Sequence, residues 1–289
     1  MRRIHAFTTL IRPINCIMMG LAVVVGAFLA EGSVSFAILP NFVLGYFAGF
    51  FMTGAAMAAN DYYDREIDAI NEPMRPIPSG VMAPKEALYI ALAFTLAGLT
   101  VAVSTGNQPN WQCLTVASVS WLIAVLYVTR GKRTGLLGNL LVSSCIALPL
   151  FYGSLVVGRG IRPTATLFAA MIFLSNTGRE ITKGIVDIEG DRQEGIGTIA
   201  ALYGERHAAI LAAIFFLSAI ILTPLPLLLD YVSLWYLPPI VLIDVALIYT
   251  VIQLVKNPSR ENSKKIKNRI LLWFLIGLIA FILGTIQSK

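Results

Sequence analysis

Two short acidic segments carry the residue types and spacings that could do chemistry: NDYYDREID from Asn60 to Asp68, and REITKGIVDIEGDRQE from Arg179 to Glu194. On a helix, Asp61, Asp64 and Asp68 follow spacings of three and four and share one face, with Asn60 one turn before Asp64. Asp187 and Asp191 stand one turn apart in the same manner. Like charges at that spacing repel, and a cation lying between them relieves the repulsion. Hard oxygen ligands suit magnesium, which keeps several waters and is usually shared with substrate phosphates. One cluster alone can also be read as a solvated helix end with incidental acids. Two such ends facing each other could hold a pair of magnesium ions on one diphosphate.

Basic residues accompany the acids. The segment YVTRGKRTGLLGN from Tyr127 to Asn139 supplies Arg130, Lys132 and Arg133, while Arg65, Arg75, Arg179 and Lys183 lie within or beside the acidic segments. Alone, such bases signal topology or lipid-headgroup contact; beside two acid clusters they become candidate diphosphate clamps. Magnesium together with Lys and Arg stabilises the charge that grows on a departing diphosphate, and so favours ionisation of an allylic carbon–oxygen bond. The resulting carbocation needs a dry pocket and ring faces, each contributing about 0.5 to 2 kcal/mol. Tyr62, Tyr63 and Tyr127 are candidates for that role, and also for interfacial anchors. The acceptor's proton could leave to Asp68, to Glu189 or to the diphosphate. His5 and His207 are isolated and read as interfacial. Asp244 is a lone acid in an apolar run, a functional candidate by its position in the membrane.

These groups need elements to hold them, and the composition says which. Of 289 residues, 57% are hydrophobic and 13% charged, far more apolar than a soluble domain. Apolar runs of helix-spanning length recur along the chain, with centres near Val23, Ala48, Phe94, Ser120, Ile146, Phe173, Phe216, Val245 and Ile276. The expectation is an all-α polytopic membrane protein: one domain over 1–289, a nine-transmembrane-helix bundle with a central cavity open to the cytoplasmic face. Connections after odd-numbered spans hold only Arg159 and Arg162 among basic residues, with Lys289 on the same side. The positive-inside rule therefore puts the amino terminus and the other connections in the cytoplasm of a multi-pass cell-membrane protein. An even number of crossings separates spans 2 and 6, so both acid clusters emerge on one face. The net charge of +6 is spread over short connections, which excludes a nucleic-acid-binding domain. Cys16, Cys113 and Cys145 form no CxxC pair and read as packing residues. No cleavage site follows the first apolar run.

NDYYDREID together with DIEGD resembles the paired aspartate-rich motifs of the UbiA superfamily of intramembrane prenyltransferases. The resemblance runs along the chain, through RPIPSG from Arg75 to Gly80 and the Tyr127–Lys132 loop with the following Gly138-Asn139. It implies a magnesium cofactor held by Asn60, Asp61, Asp64, Asp68, Asp187 and Asp191, with Asp64, Asp68 and Asp187 as the catalytic carboxylates. It further implies diphosphate contacts from Asn15, Arg65, Arg75, Tyr127, Arg130 and Lys132. Within the superfamily, DAINEPMRPIPSG is similar to both the archaeal ether-lipid branch and the chlorophyll-forming branch, and the GREITKGIVDIEGD lead-in is similar to the former. Arg179 and Lys183 would suit an acceptor that itself carries a phosphate. Many relatives have an acid at the position of Gly184, a departure that alters the charge around Lys183. The implied reaction is geranylgeranyl transfer from its diphosphate to geranylgeranylglyceryl phosphate. The implied partners are an isoprenoid diphosphate donor, a lipid acceptor and membrane lipids, with no nucleic acid and no obligate protein partner. Rival readings are a chlorophyllide or aromatic acceptor, or a transporter or lipid-binding protein whose acids bind without chemistry.

Overall fold

The computed structural model describes residues 2–32, 36–106 and 109–286, which leaves Lys289 outside the described residues. In chain order the helices are α1 (Arg2–Ile11), α2 (Pro13–Glu31), α3 (Leu39–Tyr63), α4 (Arg65–Asn71), α5 (Pro84–Val103), α6 (Trp111–Thr129), α7 (Leu136–Val156), α8 (Pro163–Val186), α9 (Ile188–Gln193), α10 (Ile199–Tyr203), α11 (Glu205–Leu222), α12 (Leu225–Leu228), α13 (Leu237–Lys256) and α14 (Arg260–Gly284). A 3₁₀ turn, Gly131–Thr134, joins α6 to α7. No strand occurs among the described residues, as expected where every backbone group must find its partner without water.

Proline opens α2, α3, α5, α8 and α13, where its missing N–H costs nothing. Eight helical segments are long and apolar enough to cross a membrane. Each of the nine expected centres falls inside one long helix, but α8 is not among those eight. Its second half carries Asn176, Arg179, Glu180 and Lys183, and this polarity lowers its hydropathy.

The long helices pack in a ring. α3 packs on α5 and α2, α2 on α7, α7 on α8, and α8 on α11; α13 and α14 follow, and α14 returns to α2. Small residues permit the tightest crossing. A Cβ on Gly153 would collide with the Val23 carbonyl, and one on Gly26 with the Leu150 carbonyl, so α2 and α7 meet nearly backbone to backbone.

Contacts identify two ends of the ring. At one end, Arg12 meets Asp61, Lys132 meets Asp64, Lys264 meets Glu72, and the Arg260 guanidinium donates to the Val186 carbonyl. At the other, Arg159 pairs with Glu31, and the Asn110 amide donates to the Leu155 carbonyl. Both acid clusters therefore lie at the same end.

Neither acidic segment continues as one smooth helix. α3 stops at Tyr63, Asp64 takes φ −87° and ψ 1°, and α4 follows. Likewise α8 stops at Val186, Asp187 takes φ −98° and ψ 7°, and α9 follows. The i to i−4 bonds persist through both bends: Asp64 N–H donates to the Asn60 carbonyl and Asp68 N–H to that of Asp64, while Asp187 and Asp191 repeat the arrangement with Lys183 and Asp187. An aspartate thus sits at each bend. The short helices α4 and α9 pack against each other.

Candidate active site

The first cluster is buried although it is charged: Asp61 is 2% exposed and Asp64 and Asp68 are each 5% exposed. Burial of charge is tolerated only with partners, and each acid has one. Arg12 donates to Asp61 at 2.5 Å, Lys132 to Asp64 at 2.7 Å, and Arg75 to Asp68 at 2.5 Å with a longer contact of 3.5 Å to Asp61. Asn60 Nδ2 also donates to Asp64 Oδ2 at 2.8 Å. Burial pushes the Asp68 carboxyl up to about 6, against the pull of Arg75 and with Asp64 and Asp61 adding to the rise.

The second cluster is more open. Asp187 is half-buried, whereas Asp191 is buried and accepts a 3.0 Å bond from the Thr198 hydroxyl. Burial and the neighbouring Asp187 push the Asp191 carboxyl up to about 6, opposed by Thr198, Lys132 and Lys183. Lys132 thus acts on both clusters, bonded to Asp64 and drawing on Asp191. With α4 against α9, the two bends face each other.

A cavity with about 220 Å³ of free space begins at this acid end. Asn15, Asn60, Tyr127 and Arg179 form its polar end, and its far walls are Val23, Ala48, Ala117 and Tyr152. From Asn60 to Ala48 along α3 is roughly 18 Å at 1.5 Å per residue. The space therefore has a polar head, where Arg179 is the one charged lining residue, and a long apolar body.

Residues 19–283 match the model of the UbiA prenyltransferase family. The chain belongs to that family. As a UbiA family member it is a prenyltransferase, and its similarity extends to particular proteins. It is 36% identical to the digeranylgeranylglyceryl phosphate synthase of Methanosarcina mazei, over 97% of this chain and 98% of that one. A solved structure reported for digeranylgeranylglyceryl phosphate synthase matches it with a TM-score of 0.75 and 28% identity, covering 100% of both chains. A UbiA homologue from Archaeoglobus fulgidus bound to DMAPP and Mg2+ shares the fold, with a TM-score of 0.70 and 19% identity over 96% of this chain and 97% of that one.

Several basic residues of this UbiA prenyltransferase family member lie elsewhere than the sequence suggests. Arg65 turns away from the acids: it donates to the Tyr62 carbonyl at 2.9 Å and to Glu66 at 3.2 Å, with its guanidinium 4.9 Å from the Tyr62 ring centre. The reason is geometric, since the bend at Asp64 points the next residue outward. Arg130 and Arg133 are exposed on either side of Lys132, the one base of that loop whose side chain reaches an acid among the described residues. Of the three candidate tyrosines, Tyr127 lines the cavity; Tyr62 packs under Arg65, and Tyr63 is exposed. Trp121 and Phe274 supply further ring faces in the wall. Glu189 is exposed on α9, His5 and His207 are exposed, and the three cysteines are free.

Two charged residues that the sequence reading did not single out pair with residues that it did. Arg12 precedes the first apolar run and looks like a topology signal. Its left-handed backbone, φ 50°, links α1 to α2 and brings its guanidinium to Asp61. Glu180 was passed over as one more charge in a charged run. Buried, it accepts from Arg179 at 2.9 Å and from Lys183 at 3.3 Å, so one carboxylate holds both bases.

Among the described residues no three acidic, His or Cys side chains close on one point where an ion could sit. Magnesium does not require such a cage, because it commonly takes one or two carboxylates and completes its shell with waters and phosphate oxygens. Oxygen donors on two facing bends fit that habit.

Proposed function

We propose that this chain transfers a geranylgeranyl group from its diphosphate to the free glycerol hydroxyl of geranylgeranylglyceryl phosphate. The observation that carries the reading is the cavity, whose polar end, with Asn60 and Arg179, lies on the two helices that carry the acid bends and whose body is apolar for roughly 18 Å along α3. Such a shape accepts an anionic head and a long hydrocarbon tail together. Near-full-length similarity to digeranylgeranylglyceryl phosphate synthases supports the choice of substrates.

Asn60, Asp61, Asp64 and Asp68 on one bend, and Asp187 and Asp191 on the other, would hold magnesium. The metal supplies charge that stabilises the diphosphate as it leaves. Lys132, Arg75 and Arg12 are released from their carboxylates to contact phosphate oxygens, with Asn15 and Tyr127 at the cavity mouth. The allylic carbon–oxygen bond breaks, the acceptor hydroxyl oxygen bonds to that carbon, and the hydroxyl proton passes to a carboxylate or to the departing diphosphate. Trp121, Tyr127 and Phe274 keep the reacting carbon away from water and offer ring faces to its positive charge. Arg179 and Lys183, held by Glu180, receive the acceptor's phosphate.

In the membrane the chain forms one unit in which α8 crosses with the eight apolar segments, making nine crossings. Its acid end and amino terminus face the cytoplasm, where the basic connections lie. Incubating purified protein with both lipids, with magnesium or with a chelator, tests the reaction. Diether phosphate forms only with magnesium; a folded protein that makes none in any condition overturns the assignment.

A further inference from the structure

Asp244 takes no part in the reaction above, yet it is a carboxylate within a membrane-crossing helix. Such groups are costly and seldom idle. One of its oxygens, Oδ2, bonds to the Thr223 hydroxyl at 2.7 Å. The other, Oδ1, is buried and has no partner among the described residues. On the neighbouring helix, Trp273 Nε1 is also buried without a partner. Orphaned buried polar atoms are few in any folded protein, and each needs a cause.

These two share one. Both line a second cavity, with about 50 Å³ of free space, between α8, α11, α13 and α14. It is separate in position from the first cavity, and Phe274 belongs to the walls of both. Apart from Asp244, Thr223, Trp273 and Ser175, its walls are apolar, including Ile240, Ile243 and Leu247 of α13. Asp244 lies on the order of 10 Å along α13 from the end remote from the acid clusters. Val241, Leu242, Val245 and Ile248, around it on the same helix, are exposed and so face lipid.

The orphans specify their ligand. Trp273 offers one donor and needs an acceptor, while Asp244 Oδ1 is an acceptor that needs a donor. A hydroxyl is the group that can both accept and donate. A trapped water could satisfy the two atoms, but it takes about 10 to 15 Å³ of such space, and it would leave the apolar walls uncovered. A hydroxyl carried on a hydrocarbon body matches the polar pair and the walls together. From this complementarity we infer that the second cavity is a binding site for a long-chain alcohol, whose hydroxyl accepts from Trp273 and donates to Asp244.

Indole N–H resonances of the ¹⁵N-labelled full-length protein, in an amine-oxide detergent that carries no hydroxyl, read this site directly. Trp273→Phe assigns its signal, and Trp121 reports on the first cavity. The probe is 1-dodecanol, with dodecyl methyl ether as a control that accepts but cannot donate. The expected result is a saturable shift of the Trp273 signal with the alcohol, a much weaker one with the ether, and loss of saturation in Asp244→Leu. Should Asp244→Leu fail to fold, Thr223→Val tests the same point: losing the hydroxyl that orients Asp244 weakens the alcohol several-fold. A Trp273 signal that stays still up to the solubility limit of dodecanol means a trapped water only, and overturns the site. So does an equal response to alcohol and ether, which is partition into apolar space.

Discussion

At the scale of residues, the acid cluster at the first bend is neutralised by bases from three different parts of the chain: Arg12 before α2, Arg75 after α4, and Lys132 between α6 and α7. Losing either member of such a buried pair leaves a charge without its partner and disables the site as well. Asp64→Ala and Asp187→Ala are expected to lower kcat/KM by about 10²-fold or more, the scale on which single electrostatic groups act on a transition state, while circular dichroism shows the helices retained. Lys132→Ala should act similarly and raise the donor KM. Arg65→Ala serves as the contrast: because Arg65 bonds to Tyr62 and Glu66, its loss should change turnover by no more than about twofold, within the small worth of an exposed pair. Steady-state kinetics across the four variants check the ordering, and an Arg65 loss as large as that of Lys132 would contradict the geometry. Glu180→Gln frees Arg179 and Lys183 from their shared carboxylate. A rise of about tenfold in acceptor KM, equivalent to about 1.4 kcal/mol of binding, with donor KM unchanged, separates this role from a general loss of structure.

Elements decide where those residues point. Each acid-bearing helix bends at an aspartate and continues as a short helix, and α4 and α9 then meet. The repetition of long helix, bend and short helix gives structural form to the similarity between the two acidic segments. The scaffold beneath depends on the close crossing of α2 and α7, both of which line the first cavity. Gly153→Ala drives a methyl group into the Val23 carbonyl, and overpacking of this kind typically costs about 1 to 3 kcal/mol. Denaturation in mixed micelles should show that loss, with reduced turnover because the wall moves. Full stability in Gly153→Ala would mean that the helices separate without cost.

For the whole molecule, two properties follow from the acid clusters and their bases lying at one end of the bundle. The first is depth. Ala48 and Ala117 are small and buried at the far walls, so Ala117→Phe should shorten the space available to the tail. Competition assays should then show the preference moving from geranylgeranyl towards farnesyl or geranyl diphosphate, whereas an unchanged preference would place the tail elsewhere. The second is orientation. Lys264 lies at the acid end, where it meets Glu72, while Arg162 is exposed just before α8 at the opposite end. With native cysteines buried or half-buried, a cysteine placed at 162 should react with an impermeant thiol reagent from outside intact cells. One at 264 should react only after permeabilisation, and the reverse pattern inverts the topology.

Much of this was legible in the sequence, because it depends on local properties. A run of apolar residues long enough to span hydrocarbon must become a helix, and counting such runs put Asp61 and Asp187 at the same end before any contact was known. The spacing of the acids likewise follows from helical periodicity. The sixth span is the one that length and apolarity leave out in the structure, since Arg179, Glu180 and Lys183 lower the hydropathy of α8. What only the tertiary structure decided is which charges meet. Arg65 is one residue from Asp64 and faces away, whereas Arg12 is far along the chain and bonds to Asp61 at 2.5 Å. Glu180 became a partner of two bases, and Asp244 acquired Thr223 and a cavity shared with Trp273. Side-chain pairing across helices depends on crossing geometry, set by close approaches such as that at Gly153 and by the bends at Asp64 and Asp187. Neither is encoded in the periodicity of a single segment.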